Sequence, residues 1–234
     1  MPDFFDSLVI GTGPVGMVAA SGLAKAGISV GLIGPEPNLS RDGRTVAILD
    51  NGVSLLQSLG LWNEAQTKSA PLTEMRIIDD TGSLFRARPV TFRAHELGLD
   101  AFGKNIELTD LVASLSQILK TQKAIQWLSD TVRVFGRDTD GLIKVALTSG
   151  HNVKCKKLIG ADGKYSKVRD FADIKTKKWE YPQTALTALF THELDHEDRS
   201  TEFHKRSGPF TLVPLNGRRS SLVWMMPPKD AERI

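Results

Sequence analysis

Hydrophobic and polar positions along the first 34 residues follow the order of a strand, a turn, a helix and a second strand. Leu8 to Ile10 form an apolar run, and small apolar residues then recur at helical spacing up to Gly27. Pro14 suits the first helical turn, where its missing N–H is not needed, and Gly27 suits the helix end. Residues 28–33 resume a strand pattern that is largely apolar. Two buried strands joined by a helix predict a parallel sheet of the α/β kind.

The middle of the chain mixes helical and strand periods. The run "RTVAILDNGVSLLQSLGLW" predicts a helix, because Val46, Leu49, Val53 and Leu56 recur at helical spacing. "MRIIDDTGSLFRA" predicts a hairpin that turns at residues 80–82, and "LTDLVASLSQILKT" predicts an amphipathic helix. Short strand patterns follow at "AIQWL", "TVRVFG", "LIKVALTSG" and "KKLIGADG".

From about Trp179 the chain changes to long alternating strands with no helical pattern between them: "QTALTALFTHE", "GPFTLVPL" and "SSLVWMMP". We therefore predict a mixed α+β fold of the α/β class, with a Rossmann-like domain and a second, sheet-dominated domain. The closing "PPKDAERI" begins a charged helix that stops after about one turn, which we interpret as a cut C-terminus.

Composition favours a globular protein of the cytoplasm. With 234 residues and 41% hydrophobic content the chain can form one large or two modest domains. No apolar run reaches about 18 residues, and the N-terminus lacks the basic region and cleavage site of a signal peptide. The single cysteine, Cys155, excludes a disulfide framework and a multi-cysteine metal cluster, and is either a small buried residue or a surface residue.

The charge balance gives no indication of a nucleic-acid partner. Thirty basic and 27 acidic side chains leave a net charge of +3, which does not indicate a nucleic-acid footprint. The densest basic run, "KTKKW" at residues 175–179, is interpreted as solvated surface rather than a membrane or polyanion contact.

The first chemical signal is the glycine turn "GTGPVG", with Gly11, Gly13 and Gly16 between a strand and a helix. In this context the first glycine permits a tight turn, the second lets the backbone approach a pyrophosphate, and the third allows close packing. The helix N-terminus adds N–H groups for the phosphates. The segment therefore predicts nucleotide binding.

The same fingerprint asks for an acid at the end of the second strand to hold the adenosine ribose, and this chain has Gly34 there. Glu36 lies two residues further on. It is either a substitute ribose contact or a solvated loop acid. Loss of one charge-assisted hydrogen bond costs about 1.5–3 kcal/mol, which a large dinucleotide with many contacts can survive.

The second signal is "LIGADGKYSKVRD", residues 158–170, where a strand enters a G-A-D-G turn and a helix opens near Ser166. The pattern G-A-D-G-x-x-S-x-x-R resembles the second fingerprint of the single-component FAD monooxygenases that hydroxylate aromatic rings. In that family the segment lies by the pyrophosphates of FAD and of the visiting NAD(P)H, so the resemblance implies that role for Asp162, Gly163 and Arg169. The alternative makes Ser166 a helix cap, Asp162 a turn residue and Arg169 a surface charge.

Within that family, "GPFTLVPLNGRRSSLVWMMP" is similar to the substrate-domain segment of the ubiquinone-biosynthesis hydroxylases; the matching residues are Gly208, Pro209, Pro214, Leu215, Val223 and Trp224. Arg44 falls where the family places an arginine near the flavin, and its alternative is a solvated loop charge. Leu108 stands where a polar flavin contact is expected. The family's third motif, a G-D followed by a proline- and glycine-rich turn, is absent from this sequence, so the resemblance is to a C-terminally truncated member.

The resemblance implies FAD as cofactor, NAD(P)H as co-substrate and a small hydrophobic aromatic substrate, a polyprenylphenol on the way to ubiquinone, hydroxylated with O2. It implies residues 1–72 and 98–176 as the FAD-binding domain, 73–97 as a substrate-domain hairpin and 177–234 as an incomplete substrate domain. A peripheral approach to the inner membrane, or contact with a ubiquinone-biosynthesis complex, follows from so apolar a substrate. Two alternatives stay open: another FAD oxidoreductase, such as a reductase or halogenase, and a truncated, non-catalytic binding or assembly module.

The predicted cofactor contacts are Gly11, Gly13, Pro14, Val15, Gly16, Glu36, Arg44, Asp162, Gly163 and Arg169. No motif marks a catalytic base or a metal ligand. "HELDH", residues 192–196, matches the H-E-x-x-H pattern of zinc peptidases, which needs both histidines on one helix face. Here the pattern around it is a strand followed by a polar turn, and residues four apart on a strand are about 13 Å apart.

Overall fold

The computed structural model describes residues 3–40 and 42–234, and contacts divide them into two compact units. Unit 1 contains the described residues up to Leu39, then Ser58–Leu61 and Leu111–Lys178. Unit 2 contains the described residues of Ser40–Gln57, with Trp62–Asp110 and Trp179–Ile234. The mixed α/β fold predicted from the sequence is confirmed.

The strands, numbered in chain order, are β1 (Phe4–Ile10), β2 (Val30–Ile33), β3 (Thr45–Leu49), β4 (Ala70–Pro71), β5 (Glu74–Asp79), β6 (Val90–Arg93), β7 (Gly103–Glu107), β8 (Ile125–Leu128), β9 (Val132–Arg137), β10 (Ile143–Leu147), β11 (Asn152–Gly160), β12 (Thr184–Thr191), β13 (Arg199–Lys205), β14 (Gly208–Leu215) and β15 (Arg219–Met226). The helices are α1 (Pro14–Lys25), α2 (Asp50–Ser58), α3 (Asn63–Thr67), α4 (Leu108–Leu119), α5 (Lys167–Phe171) and α6 (Pro228–Ala231), with one 3₁₀ turn at Ala94–Leu97.

Unit 1 is built on a six-stranded sheet in the order β8-β2-β1-β11-β10-β9. The strands β8, β2, β1 and β11 are parallel, and β10 and β9 extend the sheet antiparallel. The pairing register places Leu128, Ile33, Ile10 and Gly160 in one row at the carboxyl ends of the four parallel strands. Ligands of open α/β sheets bind outside this edge, so the row locates the candidate site.

The core of unit 1 explains why these segments form strands. The residues of β2 are all buried, and most of β1 is buried as well. A Cβ on Gly31 would lie 2.4 Å from the Leu8 side chain, so a larger residue there would displace this core side chain. Cys155 is buried in this core, and burial raises the pKa of its thiol to about 11.

Unit 2 contains a six-stranded sheet, in the order β12-β15-β14-β13-β5-β6, and a three-stranded sheet, β3-β7-β4. Polar contacts join the two sheets. Arg219 donates to the buried carboxylate of Glu107 at 2.6 Å, and the Thr45 and Ser221 hydroxyls lie 3.0 Å apart. Sheet structure therefore dominates unit 2.

Two local predictions are wrong. Residues 45–49 form the strand β3 rather than the start of a helix, because they pair with β7 along their whole length, and the helix begins only at Asp50. The hairpin does not reverse tightly at residues 80–82. Its second strand begins at Val90, and the Asp79 carboxylate accepts bonds from the backbone N–H groups of Thr81 and Ala87 within the longer connection.

β13 is among the strands of unit 2 that were not predicted. β13 pairs with β14 and, in parallel, with β5, although its sequence "RSTEFHK" is largely polar. Pairing on both edges outweighs its weak strand pattern. None of the helices that the structure describes is long and apolar enough to cross a membrane.

Candidate cofactor site

The first glycine turn joins β1 to α1 through close backbone packing. Gly11 has a φ of 114°, and a Cβ on it would lie 2.2 Å from the carbonyl oxygen of Ala161. A Cβ on Gly16 would lie 1.8 Å from the carbonyl oxygen of Gly11. These two glycines are therefore required because three backbone segments, the two turns and α1, approach one another closely.

Gly13 differs from its two neighbours, because a Cβ there would meet nothing within 4 Å. It is the N-cap residue of α1, no side chain caps the helix, and Pro14 follows at the first helical position. Val15, at the second position, is 73% exposed. The first turn thus presents backbone N–H groups and the positive end of the helix dipole to open space, which is the environment that a phosphate needs.

A cavity of about 280 Å³ lies at the carboxyl end of the unit 1 sheet. Its walls come from the ends of β1 and β2 and from the segments after β8 and β11; they are Ile10, Gly11, Ile33, Gly34, Pro35, Asp130, Thr131, Val132, Asp162, Tyr165 and Lys167. The two glycine motifs, separated by about 150 residues in the sequence, therefore border one cavity. With the open helix end, this cradle fits an FAD pyrophosphate and adenosine.

Asp162 of the second motif is engaged within its own segment. Its carboxylate accepts hydrogen bonds from the backbone N–H groups of Lys167 at 2.7 Å and Val168 at 3.2 Å, and from the Ser166 hydroxyl. Ser166 caps α5 by accepting from the Arg169 N–H at 3.0 Å. Asp162 therefore fixes the turn, and its predicted contact with a pyrophosphate stays a prediction.

Arg169 and Gly163 also shape this second turn. The Arg169 guanidinium donates to the carbonyl oxygen of Lys164 at 3.0 Å, and Gly163 has a φ of 79°. Both positions support the turn geometry, because left-handed backbone favours glycine and the arginine bridges the loop to the helix.

Glu36 lies in an ion pair just beyond β2. Its Oε2 atom is 2.9 Å from Nζ of Lys120, which lies 5.6 Å from the ring centroid of Trp127. Trp127 in turn donates through Nε1 to the carbonyl oxygen of Gly34 at 3.3 Å. The sequence did not single out Lys120 or Trp127, because nothing local in either segment shows that they meet Glu36.

Arg44 lies in unit 2, in the loop before β3. Its Nε atom donates to the Asp42 carboxylate at 2.7 Å, and this guanidinium holds the pKa of Asp42 below its usual value. The backbone of Arg44 accepts from the N–H of Leu108 at 3.0 Å, which ties the loop to the start of α4. The predicted flavin contact of Arg44 stays a prediction.

Further residues of the cavity wall were missed because no motif marks them. The Asp130 carboxylate accepts bonds from Ser149, Thr148 and Thr131, and these bonds hold its pKa well below the usual range. Lys167 donates through Nζ to the carbonyl oxygen of Val132 at 2.7 Å. The Tyr165 side chain is 77% exposed.

The "HELDH" segment is not helical. His192 follows the last residue of β12, and His196 lies in the turn before β13, as the strand-and-turn interpretation predicted. Nδ1 of His192 lies 2.6 Å from the carbonyl oxygen of Leu194, and Nε2 of His196 lies 2.8 Å from that of Gly217. Both rings thus contact main-chain oxygens, and no group of three metal-ligating side chains occurs among residues 3–40 and 42–234.

The sequence profile of the FAD binding domain family matches residues 5–233, nearly the whole chain. The chain belongs to the FAD binding domain family. Among curated relatives, it is 32% identical over 224 residues to the ubiquinone hydroxylase UbiL of Rhodospirillum rubrum, covering 94% of this chain and 51% of that protein. It is 32% identical over 238 residues to the 3-demethoxyubiquinol 3-hydroxylase of Escherichia coli, covering 97% and 58%. This FAD-binding-domain chain spans about half the length of the curated relatives it matches.

Solved structures share the fold. PqsL, described as a probable FAD-dependent monooxygenase from Pseudomonas aeruginosa, superposes with a TM-score of 0.81 at 22% identity, over 98% of this chain and 62% of that one. Klebsiella pneumoniae HpxO, crystallised with FAD and uric acid, gives a TM-score of 0.77 at 21% identity, over 94% and 56%. The Rossmann-like fold predicted from the glycine turns is therefore confirmed.

Proposed function

We propose that this chain is part of an FAD-dependent monooxygenase that uses NAD(P)H and O2 to hydroxylate an aromatic ring, a polyprenylphenol of ubiquinone biosynthesis. The observation that carries the proposal is the first turn of α1, which is uncapped and open at the end of the parallel sheet. The names of the relatives from Rhodospirillum rubrum and Escherichia coli support the choice of substrate class.

In this proposal unit 1 is the main FAD-binding part. The backbone N–H groups at Gly13, Val15 and Gly16 bind the pyrophosphate, and Gly11 keeps the turn tight. Asp162, with Ser166, holds the second turn in place at the other side of the cavity. FAD, when bound, supplies the redox chemistry with NAD(P)H and O2, while the chain binds and orients it.

Unit 2 is, in the same proposal, the main part of the substrate-binding domain. The segment from Gly208 to Trp224, similar to the ubiquinone-biosynthesis hydroxylases, forms β14 and most of β15 at the centre of its large sheet. Arg44 in unit 2 is the proposed flavin contact. Its ion pair with Asp42 is about half exposed, with 63% and 41% of the side chains accessible, so the guanidinium can exchange partners at low cost.

A polyprenylphenol partitions into lipid, so we also propose a cytoplasmic protein that approaches the inner membrane peripherally to take its substrate. For protein partners, we propose that the chain contacts other enzymes that act on the same quinone precursors.

Two measurements test the function in order. Titration of the chain with FAD, followed by flavin fluorescence, should show saturable binding that ADP competes away, because ADP carries the adenosine and pyrophosphate alone. The gene should then restore ubiquinone in an Escherichia coli strain lacking its 3-demethoxyubiquinol 3-hydroxylase. Accumulation of unhydroxylated precursor by a strain that contains FAD-loaded protein would contradict the proposed substrate but not the FAD site.

A further inference from the structure

Thr12 and Gly34 lie against each other where β1 and β2 end. The backbone of Gly34 is outside the left-handed region, so its conformation does not itself require glycine. A Cβ built on Gly34 would lie 2.7 Å from Cγ2 and 2.7 Å from Oγ1 of Thr12. Non-bonded carbon atoms prefer about 3.5–4.0 Å. The side chain of Thr12 is therefore what demands glycine at position 34.

Rotation of the Thr12 side chain does not relieve this collision. Both heavy branches on its Cβ contact the same point, so each staggered rotamer leaves at least one of them there. Thr12 is also 7% exposed, and its hydroxyl donates to the carbonyl oxygen of Pro35 at 2.7 Å. The side chain is thus held in place by packing and by a hydrogen bond.

Position 34 is where the dinucleotide fingerprint places the acid that holds the adenosine ribose. We propose that Thr12 excludes this acid and thereby sets a weak, exchangeable hold on the adenosine end of FAD. The inference rests on the proposed FAD site and names the residue that limits its affinity. Glu36 lies two residues beyond position 34, where its carboxylate is 2.9 Å from Nζ of Lys120, and its predicted ribose contact stays a prediction.

The test is a cycle of four proteins: wild type, Thr12→Ala, Gly34→Glu and the double variant. Thermal unfolding is measured without FAD, and FAD affinity is measured by flavin fluorescence with ADP as competitor. Thr12→Ala removes both colliding atoms and leaves Thr12 N, at 3.1 Å from the new Cβ, as the nearest remaining contact.

We expect Gly34→Glu alone to lower the melting temperature, and Thr12→Ala to restore most of that loss in the double variant. The double variant should bind FAD and ADP about ten- to a hundredfold more tightly than Thr12→Ala, because it gains a charge-assisted hydrogen bond. The control is Gly34→Gln in the Thr12→Ala background, because glutamine matches glutamate in size without its charge. This control should show little of the increase in FAD and ADP affinity.

Two results would overturn the proposal. One is a Gly34→Glu variant that melts like wild type, since Thr12 would then not exclude the acid. The other is a folded double variant that binds no more tightly than Thr12→Ala. If the glutamate variants do not fold, Gly34→Ala with and without Thr12→Ala gives the same packing test, and equal melting shifts in both backgrounds refute it.

Failure of the proposed function has a different signature. If wild type, Thr12→Ala and the double variant all bind neither FAD nor ADP, the FAD site itself is wrong, whatever the melting temperatures show. A third result is possible: Thr12→Ala restores the melting temperature that Gly34→Glu lowers, wild type binds FAD, and the double variant binds FAD no more tightly than Thr12→Ala. This result rejects the role of Thr12 in FAD affinity and leaves the FAD site standing.

Discussion

The two glycine turns of unit 1 lie side by side, at the ends of β1 and β11. They differ in whether side chains cap the N–H groups at the start of the helix that follows. The first leaves α1 without a side-chain cap, and the space around Gly13 is open. The second fills the start of α5 with its own side chains, since Asp162 and Ser166 accept three backbone N–H groups. The first turn is therefore suited to binding an external anion. In the second turn, these helix N–H groups are already hydrogen-bonded to the side chains of Asp162 and Ser166.

This contrast separates residues that bind the pyrophosphate of FAD from residues that hold a turn in its conformation. A residue that only binds the pyrophosphate should affect FAD affinity with little effect on folding, whereas a residue that also holds the turn should affect both. The difference between the turns is best tested by substitutions that change one property at a time.

The largest effect is expected for Gly16→Ala. Its new Cβ would be 1.8 Å from a backbone oxygen, which cannot move without distorting the first turn. We expect a loss of about 3 kcal/mol in the free energy of unfolding, together with loss of FAD binding. Chemical denaturation measures the first and fluorescence titration the second; a stable Gly16→Ala protein would show that the turn is looser than described.

Asp162→Ala should come next, because it removes the acceptor of two backbone N–H groups and of the Ser166 hydroxyl. We expect a loss of about 1–3 kcal/mol in unfolding free energy and weaker FAD binding. The control is Asp170→Ala in the same short helix, which should change stability by less than about 0.5 kcal/mol. Equal effects of the two substitutions would remove the assigned role of Asp162.

Gly13→Ala should separate the two properties. Nothing lies within 4 Å of its new Cβ, so the unfolding free energy should stay within about 0.5 kcal/mol of wild type. FAD affinity should fall about tenfold or more, because the methyl group keeps the pyrophosphate away from the backbone. Gly22→Ala within α1 is the control, and it should add about 0.5–1 kcal/mol of stability with unchanged FAD affinity.

The last substitution, Val15→Glu, places an acid in the first turn of α1. The helix dipole should make the protein more stable by about 0.3–1 kcal/mol, while the new charge repels the pyrophosphate and lowers FAD affinity. Val15→Gln is the uncharged control. If both variants bind FAD equally, negative charge does not approach this helix end.

Sequence reasoning located the glycine turns because their signal is local: a short pattern between an apolar strand and a helix. It missed the contact of Thr12 with Gly34 and that of Glu36 with Lys120, because each joins segments that only the sheet brings together. β3 was misread for the same reason. Its apolar residues fit a helical period, and only its pairing with β7, more than 50 residues later, makes it a strand.

The most direct test of the contrast is a titration of isotopically labelled protein with ADP, followed by the NMR signals of individual backbone amides. We expect large shift changes at Gly13, Val15 and Gly16, and much smaller ones at Lys167 and Val168, whose N–H groups Asp162 already occupies. Large changes at Lys167 and Val168, with none in the first turn of α1, would contradict the difference between the two turns.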